Sequence, residues 1–165
     1  KLTFITGYQI CKGAMRGTTT SCMQQKVIIN EREMTNGQTT SNPTNDFLRK
    51  KFIDDLVKII LQLKAEGHAI ILALDANETP LESTVNGDPK PGSIEYLLQQ
   101  TGLSEVFQER HQQQPDSTTT TPGRFIDRVA TWGVDVQRVT LLRANEPATS
   151  DHLAIVIDVN LNILY

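Results

Sequence analysis

Two short strings could do chemistry in this sequence, Asp75-Ala76-Asn77 and Ser150-Asp151-His152. Asp75 follows an apolar run, and Ser150-Asp151-His152 precedes another, so both fall where loops held by a sheet place ligand-binding residues in α/β folds. Asp, Asn and Ser are also ordinary turn formers, and a single His is often structural. Together the two strings are more specific than either alone. A nucleophilic triad within Ser150-Asp151-His152 is rejected. Neighbours on an extended chain point to opposite faces, and the sequence has no G-x-S-x-G elbow. The segment Gly87 to Ser93 fails as a phosphate loop: it lacks a Lys after its second Gly and carries two prolines with no N–H to offer. His68 and His111 have no neighbouring zinc pattern and read as structural or exposed.

The elements that must position these residues follow from patterning. Leu2 to Tyr8 alternates apolar and polar side chains and predicts a strand. Lys12 to Thr20 reads as a loop, and Ser21 to Glu33 as a helix facing in with Met23, Val27 and Ile28. Asn42 followed by Pro43 predicts a helix start. Leu48, Phe52, Leu56, Ile60 and Leu63 then recur at helical spacing, widened by Ile53 and Val57, with Arg49, Lys50, Asp54, Asp55 and Lys58 at polar positions and Gly67 at the end. His68 to Asp75 is apolar without alternation, the pattern of a central strand covered on both faces. Leu81 to Gly92 is turn chemistry, Ser93 caps a short helix to Thr101, and Gln112 to Pro122 reads as a polar loop. Phe125 to Trp132, Val136 to Leu142 and Leu153 to Val159 are three further strand candidates. A mixed, layered α/β fold is expected.

The 165 residues suit one domain, and the 38% hydrophobic and 5% aromatic content implies a modest core. The apolar runs are shorter than the ~20 residues of a membrane span, so a soluble chain is expected. The net charge of −3 does not advertise a nucleic-acid binder. A Mg²⁺ site nevertheless needs clustered carboxylates, which lower the sum while separate cations meet phosphates. Arg49, Lys50, Lys51, Arg128, Arg138 and Arg143 are the candidates for such contacts, with scattered solvation as the default. Cys11 and Cys22 read as free thiols of a reducing compartment. Asn77-Glu78-Thr79 matches the glycosylation pattern, but it coincides with the expected site and is taken as accidental. Lys1 opens directly onto strand residues, so an excised or shortened chain is expected.

Taken in order, Ile5-Thr6-Gly7-Tyr8, Leu72-Ala73-Leu74-Asp75-Ala76-Asn77-Glu78-Thr79-Pro80, Phe125-Ile126-Asp127 and Ser150-Asp151-His152 resemble the later motifs of the endonuclease/exonuclease/phosphatase superfamily. Its members include apurinic endonucleases, pancreatic-type deoxyribonucleases, inositol-polyphosphate phosphatases and retroelement endonucleases. The Gln24-Gln25 region and the helix into Gly67-His68 look most like the retroelement members. The resemblance implies a two-sheet sandwich flanked by helices, a four-layer α/β/β/α fold lacking its N-terminal part, with residues 1–165 as a single domain shortened at its start. It further implies metal-dependent phosphodiester hydrolysis, most simply of DNA. The alternatives are a phosphatase on a small phosphorylated substrate, and an inactive retroelement-derived fragment or binding module.

Carried over residue by residue, the resemblance makes Asp75 the carboxylate that orients or deprotonates water, with Asn77 holding that water or a phosphate oxygen. It makes His152 the phosphate-binding group and Asp127 its orienting partner, with Tyr8 a phosphate contact or simply an amphipathic strand end. Asp151 and Asp75 would complete a Mg²⁺ or Mn²⁺ environment; zinc does not fit this set. Phe125-Ile126-Asp127-Arg128 departs from the family's Arg-Ile/Leu-Asp-Tyr/Phe pattern. The family's Asn and principal metal-binding Glu belong to the half preceding the Tyr-bearing strand, and this chain does not contain them. Glu78, next to Asn77, is not taken as a substitute. That preceding half, a reverse transcriptase in the parent protein and a nuclear or cytoplasmic placement are further expectations of the resemblance.

Overall fold

In the computed structural model the described residues are 1–9, 44–142 and 150–160. The helix expected at Ser21 to Glu33, both cysteines, Asn42-Pro43 and Arg143 lie outside them. The first helix among the described residues is α1 (Asn45–Ala65). Its N-cap is Thr44, two residues past the expected cap at Asn42; the Thr44 side chain accepts from the Phe47 N–H at 3.2 Å. The helix packs through Leu48, Ile53, Leu56 and Ile60. Gly67, with φ of +77°, turns the chain into β2 (Ala69–Asp75), a left-handed conformation that glycine adopts without steric cost.

Strand β2 pairs in parallel with β1 (Leu2–Tyr8) and antiparallel with β6 (Asp127–Trp132), which pairs in turn with the short β5 (Ser104–Glu105). The sheet order is therefore β1-β2-β6-β5. The unbroken apolar run of β2 is explained by what covers it. Ile70, Leu72 and Leu74 face α1 and α2 (Ile94–Thr101), whereas Ile71 and Ala73 face a second cluster. Ser93 caps α2 as expected, and Gly102 closes it with φ of +66°.

The second cluster belongs to the two-stranded ribbon β7 (Asp135–Leu142) and β8 (Ala154–Asn160), with Val136 and Val139 buried and Ile155, Ile157 and Val159 half-buried. Helix α3 (Val106–His111) closes this side, with Phe107 edge-on to Phe125. The turn-rich segment holds the tiny hairpin β3 (Thr84–Val85) and β4 (Asp88–Pro89). Asn86 and Gly87 both have positive φ, as a tight two-residue hairpin turn requires. The fold is thus mixed α/β, with α1 and α2 on one face of a central sheet and the ribbon and α3 on the other. No helix among the described residues is long and apolar enough to cross a membrane.

Candidate active site

The ladders decide which polar residues meet. Tyr8 pairs with Asp75, and Asp75 with Asp127, so three neighbouring strands present one residue each in a row. Paired residues share a face. For this row it is the face that also carries Ile71 and Ala73, on the ribbon side.

His152 reaches the row from the start of the ribbon's second strand. Its Nδ1 lies 2.9 and 3.0 Å from the two oxygens of Asp127. An ionised carboxylate only accepts, so Nδ1 carries the proton and donates. Asp75, Asp127 and His152 each offer a ligand atom within 4.8 Å of the others.

The thread that joins these residues is Thr118 to Thr121, within the polar segment Gln112 to Pro122. Thr119 bridges to His152, the Thr120 N–H donates to the Asp151 carbonyl at 2.7 Å, and the Leu153 N–H donates to Thr118. The buried Thr118 hydroxyl accepts from the backbone N–H groups of both Ile126 and Asp127, at 3.1 and 2.9 Å. The Thr run therefore holds Asp127 and His152 in register. Four β-branched residues in succession were the available signal, since such residues favour extended chain.

Asn77 sits at φ of +47°, a left-handed position that Asn tolerates better than most residues. Its N–H donates to Asp75 Oδ1 at 3.0 Å and its side-chain amide donates to the Gln9 carbonyl at 2.7 Å. The turn and the carboxylate thus orient each other. Asp151 stands outside the cluster of three, 68% exposed, with Oδ1 3.8 Å from His152 Nε2. Tyr8 is 44% exposed at the row's outer end.

Electrostatics separate the two central groups. Burial raises the Asp75 pKa, the Asn77 N–H works against it, and the Asp127 charge adds to the rise. For His152, burial opposes the charged form, but the Asp127 hydrogen bond and the charges of Asp127, Asp75 and Asp151 outweigh it and raise the pKa. The arrangement places a carboxylate that is easier to protonate than usual beside an imidazolium that is harder to deprotonate.

Most cations expected to meet phosphate are engaged elsewhere. Arg49, expected on the solvent face of α1, is buried and bonded to Glu78 at 2.8 Å. Arg128 is buried against the Phe125 ring and bonded to Glu95 at 2.9 Å. Lys50 and Lys51 pair with Asp54 and Asp55 one helical turn on, and Arg138 pairs with Asp158. Arg124, which sequence reading passed over, is exposed and close enough to depress the Asp75 pKa in part. Glu78 points into the fold, away from the three-residue cluster, with Oε1 on the Ile94 N–H.

Asp75, Asp127 and His152 are grouped closely enough to hold a metal ion, but with Nδ1 donating to Asp127 the imidazole serves as a hydrogen-bond donor, which leaves the two carboxylates as the oxygen ligands. Compared with known proteins, the chain matches no family model, no curated protein and no solved structure.

Proposed function

We propose that this chain supplies the water-activating and phosphate-binding part of a metal-dependent phosphodiesterase, most simply an endonuclease acting on DNA. The observation that carries the reading is the convergence of Asp75, Asp127 and His152, from residues 25 to 77 positions apart in sequence, at one end of the central sheet. The residues that converge are among those the motif resemblance nominates. An apolar margin among the described residues also supports the reading: Phe4 is 67% exposed on the ribbon face of β1, and the inward side chains of β8 are half-buried. A partner half-domain packed there would complete the two-sheet, four-layer sandwich that the resemblance implies.

In this reading Asp75 accepts a proton from, or orients, the attacking water, and its raised pKa brings it closer to the strength a general base needs near neutrality. Asn77 holds the loop against Asp75. His152, with Nδ1 committed to Asp127, presents Nε2–H to a phosphate oxygen as negative charge develops. Tyr8 borders the same surface. Asp75 would hold Mg²⁺ or Mn²⁺, whose chemistry is to neutralise charge on the phosphate, whereas Asp151, expected to share that role, stands outside the cluster of three.

The intact parent protein should cleave DNA in Mg²⁺ or Mn²⁺ and stop in EDTA. Asp75→Ala or His152→Ala should lower kcat by about 10²- to 10³-fold, as loss of a base or of an oxyanion donor does elsewhere. Metal-independent cleavage would sink the proposal. A second reading, hydrolysis of a small phosphorylated molecule, is favoured by the pairing of each described candidate for phosphate contact, Arg49, Lys50, Lys51, Arg128 and Arg138, with an acidic side chain. A panel of DNA against inositol phosphates separates the two, and an intact parent inactive on both would point to a binding module.

A further inference from the structure

Behind the row of candidate residues lies a buried polar network formed by Gln9, Arg49 and Glu78, which are 1, 3 and 2% exposed. Its bonds converge on the segment carrying Asp75 and Asn77. The Gln9 N–H donates to the Asp75 carbonyl at 2.8 Å, and the Gln9 carbonyl accepts the Asn77 amide. Arg49 Nη2 lies 2.8 Å from Gln9 Oε1, 3.1 Å from the Ala76 carbonyl and 2.8 Å from Glu78 Oε2. Glu78 Oε1 accepts from the Ile94 N–H at 2.6 Å, and Gln9 Nε2 donates to the Gly92 carbonyl at 3.2 Å. Residues 76 and 78 are therefore both tied to a single guanidinium, and the residue between them adopts φ of +47°.

Stability alone is a poor reason for such a network. A buried ion pair loses the hydration of both charges, and well-packed apolar residues of similar volume often replace one at no cost. What apolar residues do not reproduce is directional bonding to particular backbone carbonyls. We infer that Arg49, Glu78 and Gln9 are positioning residues, which hold the Ala76–Glu78 turn so that Asn77 stays bonded to Asp75 and Asp75 stays beside His152, and which withdraw the Glu78 carboxylate from the site. The inference rests on the phosphodiesterase reading for its functional meaning, whereas the positioning itself is measurable without catalysis.

The test is the double substitution Arg49→Met with Glu78→Leu in the full chain, followed by amide hydrogen exchange. Because the pair also bonds Gln9 Oε1, the Ala76 carbonyl and the Ile94 N–H, the melting transition of the double variant should fall, and exchange is compared between two amides of the same folded variant. Exchange at the Asn77 amide should accelerate by about tenfold or more relative to Leu72 within β2, reporting local loosening. In the intact parent, kcat should fall about 10- to 100-fold with little change in KM, as expected when reacting groups are misplaced rather than binding lost. Unchanged exchange at Asn77 in a folded double variant overturns the inference. Should that variant not fold, Gln9→Met decides: it keeps the ion pair but loses the bonds to Arg49 and Gly92, and unaltered Asn77 exchange there is equally fatal. An inactive parent whose Asn77 exchange still responds counts against the phosphodiesterase reading alone.

Discussion

Replacing Asp75 by Asn should make the protein more stable and, in the proposed site, inactive. The carboxylate is partly buried, has an Asp127 oxygen within 4.8 Å, and is held above the ordinary Asp pKa chiefly by burial. Asn keeps the oxygen that accepts the Asn77 N–H but removes the charge. At that separation, repulsion between two carboxylates is about 0.9 kcal/mol in water and about 3.5 kcal/mol at an effective dielectric constant of 20. Solvent reaches this site, and Asp75 also loses attraction to His152 and Arg124, so the lower figure applies and a gain of about 1 kcal/mol is expected. For a chain of 165 residues that is a rise in Tm of about 2–4 °C.

The pH dependence of this difference follows from linkage. The folded state binds the Asp75 proton more tightly than the unfolded chain does. The unsubstituted protein therefore loses stability relative to Asp75→Asn as pH rises from the ordinary Asp pKa through the raised folded value, and the gap is constant above it. Below the ordinary Asp pKa both side chains are neutral and the gap closes. Calorimetry on the two proteins across this range measures it. A lower Tm for Asp75→Asn at neutral pH, or a difference independent of pH, would refute the assignment of Asp75 as a carboxylate ionised at a stability cost.

Activity of the intact parent should rise with pH as Asp75 deprotonates and fall as His152 loses its proton through its own raised pKa; Asp127→Asn should move the alkaline limb to lower pH, because it removes the acceptor that holds the imidazolium. Thr118→Val should destabilise by about 1–3 kcal/mol for each of the two backbone N–H groups it orphans, measured by urea unfolding, and should broaden the His152 ring resonances if Asp127 loosens. Gly92→Ala should lower Tm, since a Cβ there would lie 2.7 Å from the Lys50 Cα at φ of +84°, and neither the backbone of α1 nor the left-handed turn can yield cheaply.

Local chemistry made much of this protein legible. The apolar stripe of α1, the cap pair Ser93 and Gly102, the doubly covered strand ending at Asp75 and the three later strands all leave periodic or punctuating marks in the sequence, because each reflects contacts within a few residues or burial of a whole face. The short β5 and α3 left too little pattern to be read, as two- and six-residue elements depend on what they pack against. The candidate site was legible only as separate strings. That Tyr8, Asp75 and Asp127 stand in one row is a matter of strand register, and a slip of one residue would have sent each to the other face.

Tertiary structure alone decided the fate of the charges. Arg49 and Arg128 read as surface cations because isolated side chains of that type are solvated, yet each is buried against an acidic partner far along the chain, Arg128 with only Nη2 so bonded and its guanidinium over the Phe125 ring. Glu78, next in sequence to Asn77, was turned inward by that same pairing, and the Thr run became the link between Asp127 and His152 through long-range bonds. Sequence determined the segments and the chemical groups they carry, since propensity and periodicity act locally. Which carboxylates face His152 and which are neutralised inside the fold depended on pairings between distant segments, and only the folded chain brings those together.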